Sequence, residues 1–175
     1  MAATIEELRE VGFAAMTMGS VARRAGAGKI SVYRRWPDRV ELAMAAAYRL
    51  IGEPPALLEP TTLREELLVL LRHMAHQMSG PAGEALRGII SESLGADDVR
   101  VAELSKGNGA RLVRGVVCRA VARGEPVDPD PALIRLQAPG AILQHHLLTH
   151  GPPIQDDFVV SVVDEIAVPL LGRNR

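Results

Sequence analysis

Cysteine is almost missing from this 175-residue chain. The lone Cys118 has no intrachain partner, so packing alone must hold the fold, as suits a reducing cytoplasm, and the thiol is expected buried on a helix. Aromatic residues are equally scarce: two Phe, two Tyr and one Trp leave little material for an aromatic-lined pocket. No stretch has the length and purity of a membrane span, and Glu6, Glu7 and Glu10 are unlike a signal peptide, so a soluble cytoplasmic protein without a membrane partner is expected. Catalytic signatures are missing as well: there is no Gly-x-Ser-x-Gly elbow, no His-Glu-x-x-His and no second cysteine. Gly26-Ala-Gly-Lys-Ile-Ser31 fails as a phosphate loop, because Arg23 stands where a glycine is needed and Ile30 where Ser or Thr must follow the lysine. His145, His146 and His150 with Asp156 and Asp157 invite a metal reading. Adjacent histidines on a helix diverge, however, leaving only His146 and His150 as an i, i+4 pair. No enzyme, cofactor or metal is expected.

Surplus charge is missing too, since a net charge of −1 and a pI near 6.5 argue against a general polyanion binder. The positive charge is nevertheless concentrated. Between Thr17 and Arg39 lie six basic residues (Arg23, Arg24, Lys29, Arg34, Arg35, Arg39) and one acid, Asp38, whereas residues 51–175 carry 12 basic and 16 acidic residues. The same segment has the pattern of a helix-turn-helix. A first helix from Met18 turns Val21, Ala22 and Ala25 inward, Gly26 supplies the sharp turn, and a second helix packs through Val32 and Trp36 at i, i+4. That arrangement leaves Lys29, Ile30, Ser31, Arg34 and Arg35 on other faces, free to reach phosphates and base edges.

Gly12, Thr17, Val21-Ala22-x-x-Ala25-Gly26 and Lys29-x-Ser31-Val32-Tyr33-x-x-Trp36-Pro37-x-Arg39-x-x-Leu42 together resemble the N-terminal signature of the TetR family of transcriptional regulators. The likeness covers about residues 4–50. It implies an all-α protein, with a three-helix DNA-binding domain joined by a linking helix to a larger helical ligand-binding and dimerisation domain. It also implies a homodimeric repressor, released from a palindromic double-stranded DNA operator by a small molecule. Domains are expected at 1–50 and 51–175.

Carried over residue by residue, the resemblance marks Thr17 as an N-cap that touches phosphate. Tyr33 becomes a hydroxyl donor to the DNA backbone, or an aromatic that holds the two helices together. Lys29, Ser31 and Arg34 become backbone or base contacts, Arg35 stands where histidine is frequent, and Arg39 stands where a lysine meets phosphate. Three features depart from the pattern. Gly28 replaces the usual Ser or Thr cap of the second helix, a tolerable N-cap that forfeits a phosphate-binding hydroxyl. Ile30 replaces a small residue and reads either as a contact to a thymine methyl, the favoured reading, or as core. Met1 to Val11 makes a short first helix without a basic lead-in.

Beyond the motif, Asp38 is expected to start a helix that ends at Gly52-Glu-Pro-Pro55, a lever between domains. Thr62-Leu-Arg-Glu65 is a capping box ahead of a broad apolar face, and Gly80-Pro81 ends that helix. Further helices are expected over about Pro81 to Leu94, Val99 to Arg123 with an interruption around Lys106-Gly-Asn-Gly109, Pro131 to Thr149 with a kink at Pro139 and close packing at Gly140, and Ile154 to Leu171. The last has an unusually wide apolar stripe, which assigns Phe158, Val159, Val162, Val163 and Ile166 to a dimer interface, with monomer core as the other reading. His73, Met74, Gln77, Met78, Ser91 and Gln144 are the candidates for an aliphatic, Met-containing pocket for a small apolar effector. A competing function is a small all-helical ligand-binding or metal-dependent enzyme that leaves the motif unused. It would show no salt-sensitive DNA binding and would lose its activity with His146 or His150.

Overall fold

The computed structural model describes residues 1–55, 61–93 and 108–173, which are helical with no strand among them. In chain order the helices are α1 (Ala2–Ala15), α2 (Met18–Arg24), α3 (Lys29–Tyr33), α4 (Arg39–Ile51), α5 (Leu63–Met78), α6 (Pro81–Ser93), α7 (Asn108–Ala122), α8 (Leu133–His150) and α9. The last is a composite of Asp156–Ser161, a π segment Val162–Ala167 and Val168–Leu171. The expected helix start near Val99 lies outside the described residues.

Two compact units emerge. The first takes Met1–Gly52 together with Gln77–Leu104, so that α6 packs on α1 and α4 rather than going with the helices that flank it in sequence. Leu8, Phe13 and Met16 from α1 and its exit, Val21 and Ala22 from α2, Val32 from α3, Leu42 to Met44 and Ala46 to Ala47 from α4, and Leu86 and Ile89 from α6 are all buried. Small residues set the α1–α6 distance: a Cβ placed on Gly88 would stand 3.0 Å from the Cβ of Phe13. Within α1 the backbone breaks at Gly12, whose φ of +71° is open to glycine and strained for other residues.

The second unit, Glu53–His76 with Ser105–Arg175, packs α7 on α8 and α8 on α9. Leu67, Leu70 and Leu71 of α5, Val113, Val116 and Val117 of α7, Leu136, Leu143 and Leu147 of α8, and Val163, Ala167 and Leu171 of α9 fill its interior. Helix α8 runs unbroken through Pro139. Gly140 gives the close approach expected of it, because the ε-methyl of Met74 lies 3.3 Å from the site of its missing Cβ. Cys118 is exposed, contrary to expectation: Val113, Val116, Val117 and Ala120 already form the inward face of α7, and position 118 falls on the other side. Two exposed ion pairs join α5 to α9, Arg64 Nε to Asp164 at 2.6 Å and Arg72 Nε to Asp156 at 2.6 Å. The end of α9 returns to the α7–α8 loop, where Val127 and Gly172 form an isolated antiparallel bridge.

Candidate nucleic-acid interface

Thr17 and Ser20 build the start of α2. The Ser20 amide donates to Thr17 Oγ1 at 3.0 Å and the Thr17 amide donates to Ser20 Oγ at 3.1 Å, a reciprocal capping box made with serine instead of glutamate. The helix ends where the Ala27 amide reaches the Ala22 carbonyl at 3.0 Å, and Gly26, at φ +61°, takes the left-handed turn. Gly28 caps α3 with backbone alone. Only Val32 of α3 is buried, and Trp36, half-buried, lies beyond the helix end, where its amide still bonds the Val32 carbonyl at 3.0 Å.

This anchoring turns the rest of α3 outward. Ile30 is 85% exposed and Tyr33 50% exposed, while Lys29, Ser31, Arg34 and Arg35 are exposed around them. The core alternative for Ile30 is thereby removed, since so large an apolar side chain gains nothing from standing in water unless a partner covers it. Helix α3 is shorter than its sequence pattern: Arg34 and Arg35 stand in the turn after Tyr33. Arg35 lies over the Trp36 ring, its guanidinium carbon 5.0 Å from the ring centre. Lys29 leans back over α2, its Cε 3.0 Å from the position of a Cβ on Gly19, so that Thr17, Gly19, Ser20, Arg23 and Lys29 line one shallow polar hollow.

Two of the basic residues are used internally. Arg24 Nε donates to Glu7 at 2.7 Å and its two Nη groups grip Glu10, joining α2 to α1. The Ser20 hydroxyl and the Arg24 guanidinium hold the buried Glu7 carboxyl below its ordinary range, while Glu10 and Glu7 raise the pKa of Arg24 further. This clamp was invisible to a tally of charges; the i, i+3 pairing of Glu7 and Glu10 on one face of α1 was the available signal. Arg39 Nη1 donates to the carbonyls of Ala14 and Met16 at 3.4 Å, and its guanidinium carbon stands 4.7 Å from the centre of the Phe13 ring. It therefore closes the end of α1 as well as flanking the motif.

In the second unit, a cavity of about 480 Å³ opens between α5 and α7, lined by Val69, Leu70, Leu112 and Val116 and by the charged Glu53, Glu66, Arg111, Arg119 and Arg123, among others. None of the six pocket candidates lines it. Met74 is buried against Gly109 and Gly140, Met78 is buried, His73, Gln77 and Gln144 are half-buried, and Ser91 is exposed. Periodicity placed these residues near apolar faces; packing within the chain takes up Met74 and Met78, and the other four stand away from the cavity. The interface candidates divide similarly. Val159, Val162 and Val163 are buried within the single chain, whereas Phe158 and Ile166 are half-buried. His146 stacks on His150 at 4.4 Å and on Phe158 at 4.0 Å, an aromatic column between α8 and α9. No group of three His, Cys, Asp or Glu among the described residues is placed to hold a metal ion.

The description "Bacterial regulatory proteins, tetR family" matches residues 1–46, and "Tetracyclin repressor-like, C-terminal domain" matches residues 60–166. The chain belongs to the TetR family. It is a DNA-binding transcriptional regulator, and the likenesses favour a repressor over the enzyme alternative. An HTH-type transcriptional regulator of Mycobacterium bovis is 30% identical over 99% of this chain and 87% of its own length. The DNA-binding transcriptional repressor TetR of Mycobacteroides abscessus is 28% identical over 98% of this chain and 91% of its own. The crystal structure of another TetR family regulator superposes with a TM-score of 0.72 at 25% identity, covering 94% of this chain and 92% of that one. The N-terminal match covers α1–α3 and the first part of α4, and no described helix is long and apolar enough to cross a membrane.

Proposed function

We propose that this regulator is a cytoplasmic homodimeric repressor that grips a palindromic operator through α3 and its flanks and lets go when a small molecule occupies the second unit. The observation that carries the reading is the outward display of Lys29, Ile30, Ser31, Tyr33, Arg34 and Arg35 from a five-residue helix held from behind by Val32. Thr17, Lys29 and Arg23 around the polar hollow suit phosphate, with Gly28 allowing the backbone close approach. Ile30 suits a thymine methyl and Arg34 a guanine edge. Arg39 divides its role between DNA and the fold, because its Nη1 already serves the end of α1.

Two half-sites about 34 Å apart require two copies. Phe158 and Ile166, half-buried on α9, are proposed to meet the same face of a second chain, with Val159, Val162 and Val163 supporting them from behind. A small molecule that binds better to the conformation with mis-spaced recognition helices lowers operator affinity by that preference alone. No catalytic role is assigned.

The test is selection of binding sites from a random DNA library at two salt concentrations. A palindromic site whose affinity falls with salt supports the reading. If folded protein selects no site, DNA recognition by this surface is wrong and the enzyme reading returns.

A further inference from the structure

The cavity between α5 and α7 contains an arrangement that the apolar-effector expectation does not cover. Glu66 is 5% exposed, and both of its oxygens are taken: Arg119 Nε donates to Oε2 at 2.6 Å, Arg123 Nη1 donates to Oε1, and Thr61 Oγ1 lies 3.4 Å from Oε1. Arg123 is held on its other edge by Glu125, whose second oxygen accepts the Leu63 amide at 2.8 Å at the start of α5. The Glu66 charge is therefore consumed inside the wall, and Arg123 is fully engaged with it.

Arg119 is not. Its side chain is 57% exposed, and among the described residues only its Nε is bonded. The side-on edge is occupied by Glu66, which leaves the end-on fork of Nη1 and Nη2 for a second carboxylate. Beneath it, Gly115 has no side chain; a Cβ there would stand 3.5 Å from Arg119 Nη1. Around the lining Arg111 is paired with Glu53 at 2.6 Å and Arg123 with Glu66 and Glu125, which leaves the end of Arg119 as the guanidinium edge facing the cavity; the remaining wall is Val69, Leu70, Leu112 and Val116 with Pro54 and Pro55. The volume suits a small molecule.

We propose that this cavity takes an amphipathic monoanion, a carboxylate on an apolar body, with the carboxylate on the end-on fork of Arg119 and the body against Val69, Leu70, Leu112 and Val116. This rests on the reading of the second unit as effector-binding, and it replaces a purely apolar ligand with a charged-headed one. The Nη1 and Nη2 groups of Arg119 supply the donors for the carboxylate, and the aliphatic wall takes the tail.

The experiment is calorimetric titration of the full chain with octanoate, decanoate and phenylacetate, each beside its primary amide, with operator binding measured in parallel on the selected site. At least one carboxylate is expected to bind and its amide to bind about tenfold more weakly or not at all. Arg119→Gln is expected to cost about the same factor for the carboxylate and little for the amide. Gly115→Val, which fills the space beneath Arg119 Nη1 and leaves every charge in place, is expected to weaken both and guards against a misfolded Arg119 variant. Absence of binding by all three carboxylates, equal binding of the amides, or unchanged binding in Arg119→Gln and Gly115→Val overturns the proposal. Operator binding separates the two failures. A chain that binds its site but no carboxylate refutes only the ligand class, and one that binds carboxylate but no site refutes the repressor reading.

Discussion

At the level of single residues, what distinguishes one arginine from another here is whether a carboxylate has already claimed it. Arg24 is spent on Glu7 and Glu10, whereas Arg34 and Arg35 stand exposed beside Ile30. Replacing Arg34 and Arg35 together by Ala is expected to abolish most operator binding in a mobility-shift titration while the circular dichroism spectrum stays unchanged. Sequence-specific binding retained by that variant would remove α3 and its flank from recognition. Ile30→Ser is expected to shift preference at one base pair per half-site by about 1 kcal/mol, read by repeating the site selection. Glu7 carries a pH dependence of definite sign. Its folded pKa lies below the unfolded one, so the Arg24 clamp stabilises the protein above the ordinary carboxylate pKa and is lost as pH falls through the depressed value. Melting curves should therefore show wild type losing more stability than Glu7→Gln between about pH 5 and pH 3. The identity of the caps was legible in the sequence, which left Ile30 between contact and core; the pairing of Arg24 and the tethering of Arg39 to Ala14 and Met16 were not legible, because the partners come from α1 and its exit.

At the level of elements, local chemistry set the ends and tertiary contacts set the faces. Asp38 accepts from the Glu41 amide at 3.0 Å, Thr62 and Glu65 cap each other, and Gly52 turns the chain out of α4 at φ +65°, all as the capping patterns require. Thr17→Ala removes the corresponding cap of α2 and is expected to cost about 1 kcal/mol in denaturant unfolding. The wide stripe on α9 runs through a change of helix type. Over Val162–Ala167 the helix is π, with the Val168 amide bonded to the Val163 carbonyl five residues back, and Val162, Val163 and Ala167 of that segment are buried. A period of 3.6 residues cannot anticipate that. Gly88 shows the converse, a position where only packing explains the residue: Gly88→Val is expected to destabilise the chain by about 1–3 kcal/mol, since the new side chain would meet Phe13.

At the level of the whole molecule, the proposed function uses two copies and a ligand site, and the cavity proposed for the ligand is lined by residues distant in sequence. The double substitution Phe158→Ser and Ile166→Ser is expected to convert a dimer to a folded monomer in sedimentation velocity and to weaken operator binding with it; an undisturbed dimer would move the interface elsewhere. Helical class, the position of the DNA-reading motif, the turn at Gly26 and the exit at Gly52 were determined by the sequence alone, because caps, glycine conformations and apolar spacing act over a few residues. The company that α6 keeps with α1 and α4, the burial of Val159, Val162 and Val163, and the meeting of Glu66 with Arg119 and Arg123 across more than fifty residues were decided only by tertiary structure. Periodicity states that a helix has an apolar face. Which neighbour covers that face, and which charge is used up inside the fold, depends on contacts that no local pattern encodes.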